Sequence, residues 1–414
     1  MTKNPKKSLT TKSISLMVAL CICAATPVYA DDGSGHYRDV TGAEIIKKIT
    51  GLPPQLFSVA LNNQKNLIYL TGYNYATGVG SLIVMNGFTH QIINQITSST
   101  LNASLVVDEK TGTVWAFSNN GGSTNSTVIQ YSGVTLQALK TVQLNNVNTN
   151  VVAFNRRTGK FYVTNYSNGE IEVYDRNLNH LLTIADDNSN YVAINEKTNR
   201  IYVTNYWDAT VSVIDGRTDT LVGNPIPVGQ AITPDDCYKA SQSSTYPFYP
   251  SCTNYNTFAA TDGIAVDQDT GKIFVANVND GQFVTIDGKT NQVVSTLQLE
   301  EGIYNVVTMP GYNAALGINW DRSTLSVVDE KQEKRTDTVQ VGAPDSANCL
   351  RIQWDGGNCS YWGDLTSGIT VSEDNQTIYV IDSGSQLENP DPSNPHANST
   401  LYILKPISLH SEVD

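Results

Sequence analysis

The chain has 414 residues, with 39 acidic side chains against 26 basic ones and a net charge of −13 at neutral pH. A strongly acidic surface repels polyanions, so this balance argues against nucleic acid or an anionic membrane as the main partner.

The first thirty residues have the pattern of an export signal. Four lysines precede an apolar run at 14–25, and the small-residue pattern V-Y-A follows at 28–30. The run is too short to span a bilayer easily, so the sequence predicts a cleaved signal at 1–30 and no membrane span. Cleavage removes four lysines and no acidic residue, which makes the mature net charge −17. Whether the exported chain is periplasmic, secreted or held at the cell surface is left open.

The rest of the chain repeats a four-strand pattern. One copy reads FYVTNYSNGEIEVYDRNLNH from Phe161, and the next reads IYVTNYWDATVSVIDGRTDT from Ile201. Each copy has two apolar runs around a polar turn, a preceding strand such as VVAFN and a following strand such as HLLTI, TLVGNPIPV or QVVSTLQL. Four short antiparallel strands at a period of about 40 residues are typical of a propeller blade.

Seven copies align on their second strand, and we number the blades 1 to 7 accordingly. The aligned strands begin at Ile68, Val114, Phe161, Ile201, Ile273, Ala315 and Ile378. Successive copies are 40–47 residues apart except for two intervals of 72 and 63 residues, each of which contains two cysteines. In six copies an Asn or Asp follows the second strand: Asn119, Asn165, Asn205, Asn277, Asn319 and Asp382. Because Asn satisfies backbone groups at turns, we expect this column to be structural.

The last copy lacks a fourth strand, and the segment after the signal resembles one. Strands are predicted at 368–372, 378–381 and 400–404, after which the sequence nearly ends. Residues 37–50 stand alone before the first copy, and pairing them with the last blade would remove an exposed edge. The sequence therefore predicts an all-β, seven-bladed propeller of four-stranded antiparallel blades over 31–406, closed by an N-terminal strand and followed by a tail at 407–414.

Several motifs resemble those of the YVTN-repeat family of bacterial β-propellers. They are YVTNY at 162–166 and 202–206, FVAN at 274–277, VIDGRT at 213–218 and TIDGKT at 285–290. The resemblance spans the mature chain, and the layout is similar to that of the periplasmic YncE-type proteins. It implies the propeller fold, whereas similar propellers serve as binding proteins, surface-layer components and dehydrogenase subunits. Blades 1, 2 and 6 depart from the motif, and no catalytic motif of the family transfers onto any residue here.

Antiparallel order divides the loops of such a propeller between two faces. The loop between strands two and three and the connection between blades share one face, here called the loop face; the other two turns emerge on the short-turn face. The long segments fall on the loop face, including insertions at 231–262 and 343–367. Long loops on a rigid scaffold usually carry function. The alternative is that the insertions pack together and plug the channel.

The best candidates for ligand binding are residues of the central loops, especially those that break the repeat. They are Tyr166, Tyr206, Trp207, Asp208, Trp320, Asp321 and Arg322. Aromatic rings and amides suit a protein, peptide or glycan ligand. Arg322 is the only basic residue of the short central loops and is the best candidate for an anionic ligand group. The acidic residues of this face, including Asp262 and Asp382, form no contiguous calcium loop and are expected to be solvated surface charge.

Four cysteines remain after signal removal: Cys237, Cys252, Cys349 and Cys359. An even count in an exported chain predicts disulfides, and local pairing within each insertion is the simplest of three possible connectivities. We expect no metal or cofactor, because there is no C-x-x-C pair and no histidine pair with ligand spacing.

Together these features predict a monomeric, non-enzymatic, exported binding protein whose loop face receives a protein, peptide or glycan. One alternative is a lactonase-like hydrolase or a lyase that uses central acidic residues with Arg322. The other, suggested by the YncE-type resemblance, is binding of single-stranded nucleic acid by aromatic stacking, which the net charge disfavours.

Overall fold

A computed structural model describes residues 38–74, 77–119, 125–231, 260–300, 302–309, 311–320, 322–342, 366–373, 377–384 and 398–408. These residues form seven antiparallel sheets arranged as a seven-bladed β-propeller, which confirms the predicted fold. The predicted signal at 1–30, the four mature cysteines and Asp321 lie outside the described residues. Within the described ranges there is no helix with the length and apolar character needed to cross a bilayer.

The strands run in chain order from the inner to the outer edge of each blade, except that the N-terminal strand β1 (Val40–Leu52) belongs to blade 7. Blade 1 contains β2 (Leu56–Asn62), β3 (Leu67–Asn74), β4 (Val79–Asn86) and β5 (Ile92–Ser98). Blade 2 contains β6 (Ala103–Asp108), β7 (Thr113–Asn119), β8 (Ser126–Ser132) and β9 (Ala138–Leu144). Blade 3 contains β10 (Thr149–Asn155), β11 (Lys160–Asn165), β12 (Ile171–Tyr174) and β13 (His180–Ile184).

The remaining blades follow the same order. Blade 4 contains β14 (Ser189–Asn195), β15 (Arg200–Asn205), β16 (Thr210–Asp215), β17 (Thr220–Leu221) and β18 (Ile226–Pro227). Blade 5 contains β19 (Thr261–Val266), β20 (Lys272–Asn277), β21 (Gln282–Asp287) and β22 (Gln292–Gln298). Blade 6 contains β23 (Ile303–Met309), β24 (Ala314–Asn319), β25 (Thr324–Asp329) and β26 (Lys334–Gln340). Blade 7 contains β27 (Thr366–Val371), β28 (Ile378–Asp382) and β29 (Ser399–Ser408), completed by β1.

The N-terminal strand closes the ring as predicted. It pairs antiparallel with β29, with Ile45 opposite Leu404 and Ile49 opposite Leu401. Both strands extend beyond the predicted segments, to Leu52 and Ser408. The inner strands β2, β6, β10, β14, β19, β23 and β27 each contact the next, and β27 contacts β2. The blades therefore surround a central channel without leaving an exposed inner edge.

The hydrophobic core lies between neighbouring blades. Tyr162 and Val173 of blade 3 pack with Ile201 and Val203 of blade 4 in one buried cluster, and the other interfaces are built in the same way. The second and third strands are buried on both faces, which explains their nearly continuous apolar runs. Burial of each large apolar side chain contributes about 1.5–3 kcal/mol.

The turns on the short-turn face are set by local hydrogen bonds. In blade 3 the Oδ1 atom of Asn155 accepts the amide of Thr158 at 3.1 Å, and Gly159 adopts a positive φ of 72°. Blade 4 repeats the first contact, from Thr198 to Asn195 at 3.0 Å. The recurring turn, NRRTG in blade 3 and NEKTN in blade 4, is therefore compact, because glycine and asparagine both accept a positive φ, here at Gly159 and at Asn199 with 55°.

One predicted strand is interrupted. The segment TLVGNPIPV was expected to form a single outer strand in blade 4, but β17 and β18 pair separately with β16. Gly223 has a positive φ of 69°, and Pro225 has no amide hydrogen to donate. Both features stop a regular ladder, so the prediction of one continuous strand was wrong.

Candidate functional site

On the loop face, the loop between the second and third strands of a blade meets the connection that leads from the preceding blade. In blade 4 the amide of Tyr206, just after β15, donates to the carbonyl of Asn188, just before β14, at 3.0 Å. Blade 3 repeats this contact from Tyr166 to Asn148 at 2.8 Å. Backbone hydrogen bonds therefore join the loop after the second strand to the connection before the first strand at one end of the channel.

The Asn column has the structural role that its recurrence predicted. Asn165 is fully buried, and its Oδ1 atom accepts the amide of Asn148 at 3.0 Å. Asn277 is also buried and donates from Nδ2 to the carbonyl of Val228 at 2.9 Å. These side chains satisfy backbone groups at the loop-face ends of the strands, as expected for amides beside turns.

A belt of polar side chains lies at the loop-face end of the inner strands. Asn150, Asn190 and Asp262 are each the second residue of an inner strand, in blades 3, 4 and 5. The Nδ2 atom of Asn150 donates to Oδ1 of Asn190 at 2.5 Å, and Nδ2 of Asn190 donates to Oδ1 of Asp262. Three consecutive blades are thus connected by one hydrogen-bonded chain at the mouth of the channel.

Three aromatic residues adjoin this polar belt. The rings of Tyr191 and Tyr304 are 5.9 Å apart and nearly perpendicular, and the rings of Tyr304 and Trp320 are 5.2 Å apart. Burial, followed by the nearby Tyr304 and Asp262, raises the pKa of Tyr191 well above its usual value. Tyr191, Tyr304 and Trp320, which we call the mouth cluster, therefore place aromatic surface beside a carboxyl group.

Asp262 is buried, which corrects the expectation that it would be solvated. It is only 6% exposed, and the backbone carbonyl of the same residue accepts the hydroxyl of Thr204 at 2.9 Å. Burial raises the pKa of the Asp262 carboxyl to about 7, although the hydrogen bond from Asn190 acts in the opposite direction. Asp382, at 2% exposure, was also wrongly expected to be solvated; its Oδ1 accepts the amide of Gly384.

The predicted site residues are divided between the channel mouth and its rim. Tyr206 and Trp207 stack edge to face with ring centroids 4.7 Å apart, and the carbonyl of Tyr206 accepts the amide of Thr261 at 3.2 Å. This pair therefore flanks the strand that carries Asp262. Trp320 belongs to the mouth cluster.

The other predicted residues lie on the rim. Tyr166 is 56% exposed in the blade 3 loop, and Asp208 accepts a hydrogen bond from Asn188 at 2.9 Å. Arg322 is exposed; its amide donates to Oδ1 of Asn319 at 2.9 Å. The part of these three residues in a site stays a prediction.

Two further carboxyl groups on the loop face have raised pKa values. Burial raises the pKa of Asp186 to about 6, against the hydrogen bond from Ser212. It raises the pKa of Asp280 to about 6 as well. Across the described ranges, no group of three or more His, Cys, Asp or Glu side chains is arranged to hold a metal ion.

Sequence reasoning missed Asn190, Tyr191 and Tyr304. All three lie at the start of inner strands, and their segments were recognised only as strands. A signal was present, because the second residue of the inner strand varies from Asn to Asp to Tyr between blades 4, 5 and 6. Variation at a fixed repeat position marks a place where the scaffold does not dictate the side chain.

The chain is thus a seven-bladed β-propeller whose loop face carries three aromatic residues beside a buried carboxyl group. Neither a model of a known protein family nor a curated protein matches the chain. The resemblance to YVTN-repeat propellers therefore rests on the repeat motifs alone, whereas the propeller fold is shown by the seven sheets.

Proposed function

We propose that the chain is an exported, non-enzymatic binding protein that receives a protein, peptide or glycan on its loop face. The observation that carries this proposal is the mouth cluster beside the Asn190–Asp262 hydrogen bond. Aromatic faces offer flat apolar area, whereas the amide and carboxyl groups supply donors and acceptors that fix orientation.

The position of this cluster supports a recognition role. Its residues come from blades 4 and 6, and Asp262 comes from blade 5 between them. A rigid closed ring holds these groups in place, so a ligand would not have to order them on binding. Export is supported by the pattern of residues 1–30 and by the even number of cysteines in the remaining chain.

A binding screen with matched variants tests the proposal. The full mature chain is applied to glycan and peptide arrays, and ligands that bind are titrated against Trp207→Ala and Trp320→Ala. We expect each variant to weaken binding by about tenfold or more, because a central aromatic anchor is typically worth 2 kcal/mol or more.

Phe88→Ala provides the matched control. Phe88 is an aromatic residue that is 82% exposed in the turn between β4 and β5, on the opposite face. The control should bind like the wild type. Full-strength binding by both tryptophan variants, or an equal loss in the control, would remove the loop face as the site.

A second function is favoured by the raised pKa of Asp262. A buried carboxyl with a pKa of about 7 at the channel mouth suits general acid–base chemistry, as in a hydrolase or lyase. The test is whether a ligand that binds is recovered chemically unchanged. If it is converted, Asp262→Asn should abolish turnover while ligand binding persists; unchanged ligand supports the binding function instead.

A further inference from the structure

A separate cleft lies on the short-turn face between blades 3 and 4. It is lined by Arg157, Thr158, Lys160, Lys197, Thr198, Asn199, Arg200, Asp215, Gly216 and Arg217, and we call it the basic cleft. Its volume of about 640 Å³ lies within the usual range for small-molecule sites. It is formed by turns, and it lies at the opposite end of the propeller from the mouth cluster.

The charge of this cleft is opposite to that of the whole chain. Five of its ten residues are cationic and one is an aspartate. The chain has only 26 basic residues against 39 acidic ones. A chance cluster of surface residues in this chain would therefore contain more acidic than basic side chains, unlike this cleft. Like charges gathered at one place repel each other, and a bound anion relieves that repulsion.

Nearby carboxylates neutralise only part of this charge. Lys160 pairs with Asp219 at 2.5 Å, and Lys197 pairs with Asp269 at 2.5 Å. Asp215 is shared, because its Oδ2 atom lies 3.4 Å from Nη1 of Arg200 and 3.8 Å from Nη2 of Arg217. Five cations facing these three carboxylates leave an excess of two positive charges.

Two arginines retain capacity to donate hydrogen bonds. The Nη1 atom of Arg200 lies 3.4 Å from the Oδ2 atom of Asp215, an ion pair without hydrogen-bond geometry. The side chain of Arg217 is 82% exposed at the edge of the cleft. An anionic ligand oxygen would therefore add charge-assisted hydrogen bonds to those that Asp215 leaves incomplete.

We propose that the basic cleft binds a compact phosphate-bearing ligand through Arg200 and Arg217. The guanidinium fork matches the oxygens of a phosphate, and a phosphate monoester carries a charge of about −1.5 to −2 at neutral pH. That charge matches the excess of two in the cleft, whereas a single carboxylate would leave it partly uncompensated. Arg157 supports the wall, because its Nη1 atom donates to the carbonyls of Glu196 and Lys197 at 3.3 and 3.2 Å.

The test is a calorimetric titration of the full mature chain with inorganic pyrophosphate at low salt. We expect saturable binding at one site, weakened at least tenfold in the double variant Arg200→Gln/Arg217→Gln. Arg217→Gln alone should weaken binding severalfold. Because the Arg217 side chain is highly exposed, this substitution should not impair folding. Absence of saturable binding, or identical binding by the wild type and the double variant, overturns the proposal.

Lys289→Gln is the matched control. Lys289 occupies the same position in the TIDGKT turn of blade 5 as Arg217 does in the VIDGRT turn of blade 4. The control removes one positive charge from the same face outside the cleft, so affinity should stay within about twofold of the wild-type value. A loss as large as that of Arg217→Gln would indicate general electrostatic attraction and overturn the proposal. Trp320→Ala should bind pyrophosphate normally, which keeps this test independent of the loop-face function.

Competition separates the sources of the phosphate group. Vesicles containing phosphatidic acid and a soluble sugar phosphate are each added to the pyrophosphate complex. Displacement by either one supports phosphate recognition and identifies a lipid or a soluble source. A single-stranded oligonucleotide that binds while pyrophosphate does not would replace the proposal with recognition of a polymer.

Discussion

The blade 3–4 and blade 5–6 interfaces share a lysine–carbonyl contact on the short-turn face, but the side chains around that contact differ. In the first, Nζ of Lys160 lies 3.4 Å from the carbonyl of Gly216. In the second, Nζ of Lys272 donates to the carbonyl of Glu330 at 2.6 Å. Both lysines open the second strand of one blade, and both carbonyls belong to the turn after the third strand of the next blade.

The two interfaces differ in the residue at that turn and in its surroundings. Gly216 is one of the residues that line the basic cleft. Glu330 is only 3% exposed, and burial followed by the adjacent Asp267 carboxylate raises its pKa to about 9. The blade 3–4 interface is therefore open and cationic, whereas the blade 5–6 interface buries a carboxyl group with a raised pKa. Repetition of the backbone does not imply repetition of the chemistry between blades.

The largest expected effect on stability concerns Glu330 at the blade 5–6 interface. Because the pKa of Glu330 is raised from 4.5 to about 9, the folded state keeps a proton that the unfolded chain releases. The free energy of unfolding should therefore fall with rising pH across this window, by up to about 1.4 kcal/mol per pH unit from this group. Glu330→Gln should flatten the decline and stabilise the protein above neutral pH, measured by denaturant unfolding at several pH values. Parallel pH profiles for the two proteins would contradict this explanation.

A smaller loss of stability is expected at the blade 3–4 interface, which contains the basic cleft. The side chain of Asp219 is 8% exposed, and its carboxylate accepts hydrogen bonds from Lys160 and from the hydroxyl of Tyr162 at 2.7 Å. Lys160→Met leaves that carboxylate without its cation and should cost about 2–4 kcal/mol of unfolding free energy. Adding Asp219→Asn should recover part of the loss. If the double variant is no more stable than the single one, the pair is not the reason for the defect.

Lys272→Met tests whether the lysine of the blade 5–6 interface matters less for stability than Lys160 does at the blade 3–4 interface. Burial raises the pKa of Glu330 even though the nearby Lys272 charge lowers it, so the change removes mainly one hydrogen bond to a carbonyl. The expected cost is about 1–1.5 kcal/mol, below that of Lys160→Met in the same assay. A larger cost than that of Lys160→Met would reverse the proposed difference between the two interfaces.

The smallest effect is predicted for stability at the edge of the basic cleft. Arg217 is 82% exposed and lies 3.8 Å from Asp215, so Arg217→Gln should change the unfolding free energy by less than about 0.5 kcal/mol. Thermal melting measures this directly. A marked destabilisation would mean that Arg217 supports the turn rather than a ligand.

Much of the architecture could be predicted because it depends on short-range patterns. Alternating apolar runs recur in seven copies, most of which are 40–47 residues apart and have a turn that begins with Asn or Asp, and each copy reinforces the assignment of the others. The missing last strand and the isolated segment before the first copy were enough to predict the pairing of β1 with β29. The same local logic failed for the outer strand of blade 4, where Gly223 and Pro225 interrupt the ladder.

The candidate sites could be predicted only in part. Trp207 and Trp320 were found because they break the repeat, whereas Tyr304 and Asp262 were assigned no such role. Their significance depends on which neighbours they meet: Tyr304 lies against residues of blade 6 and blade 4. The contact between Tyr191 and Tyr304 joins residues more than a hundred positions apart, beyond the reach of any local pattern.

The sequence by itself determined seven blades, the closing strand and the assignment of long loops to one face, because strand alternation and turn chemistry act between near neighbours. Only the tertiary structure decided that Asp262 is buried, that Glu330 keeps its proton and that five cations meet beside Gly216. The reason is physical: burial and electrostatic environment are set by the packing of one blade against the next. That packing brings together groups that no single repeat contains.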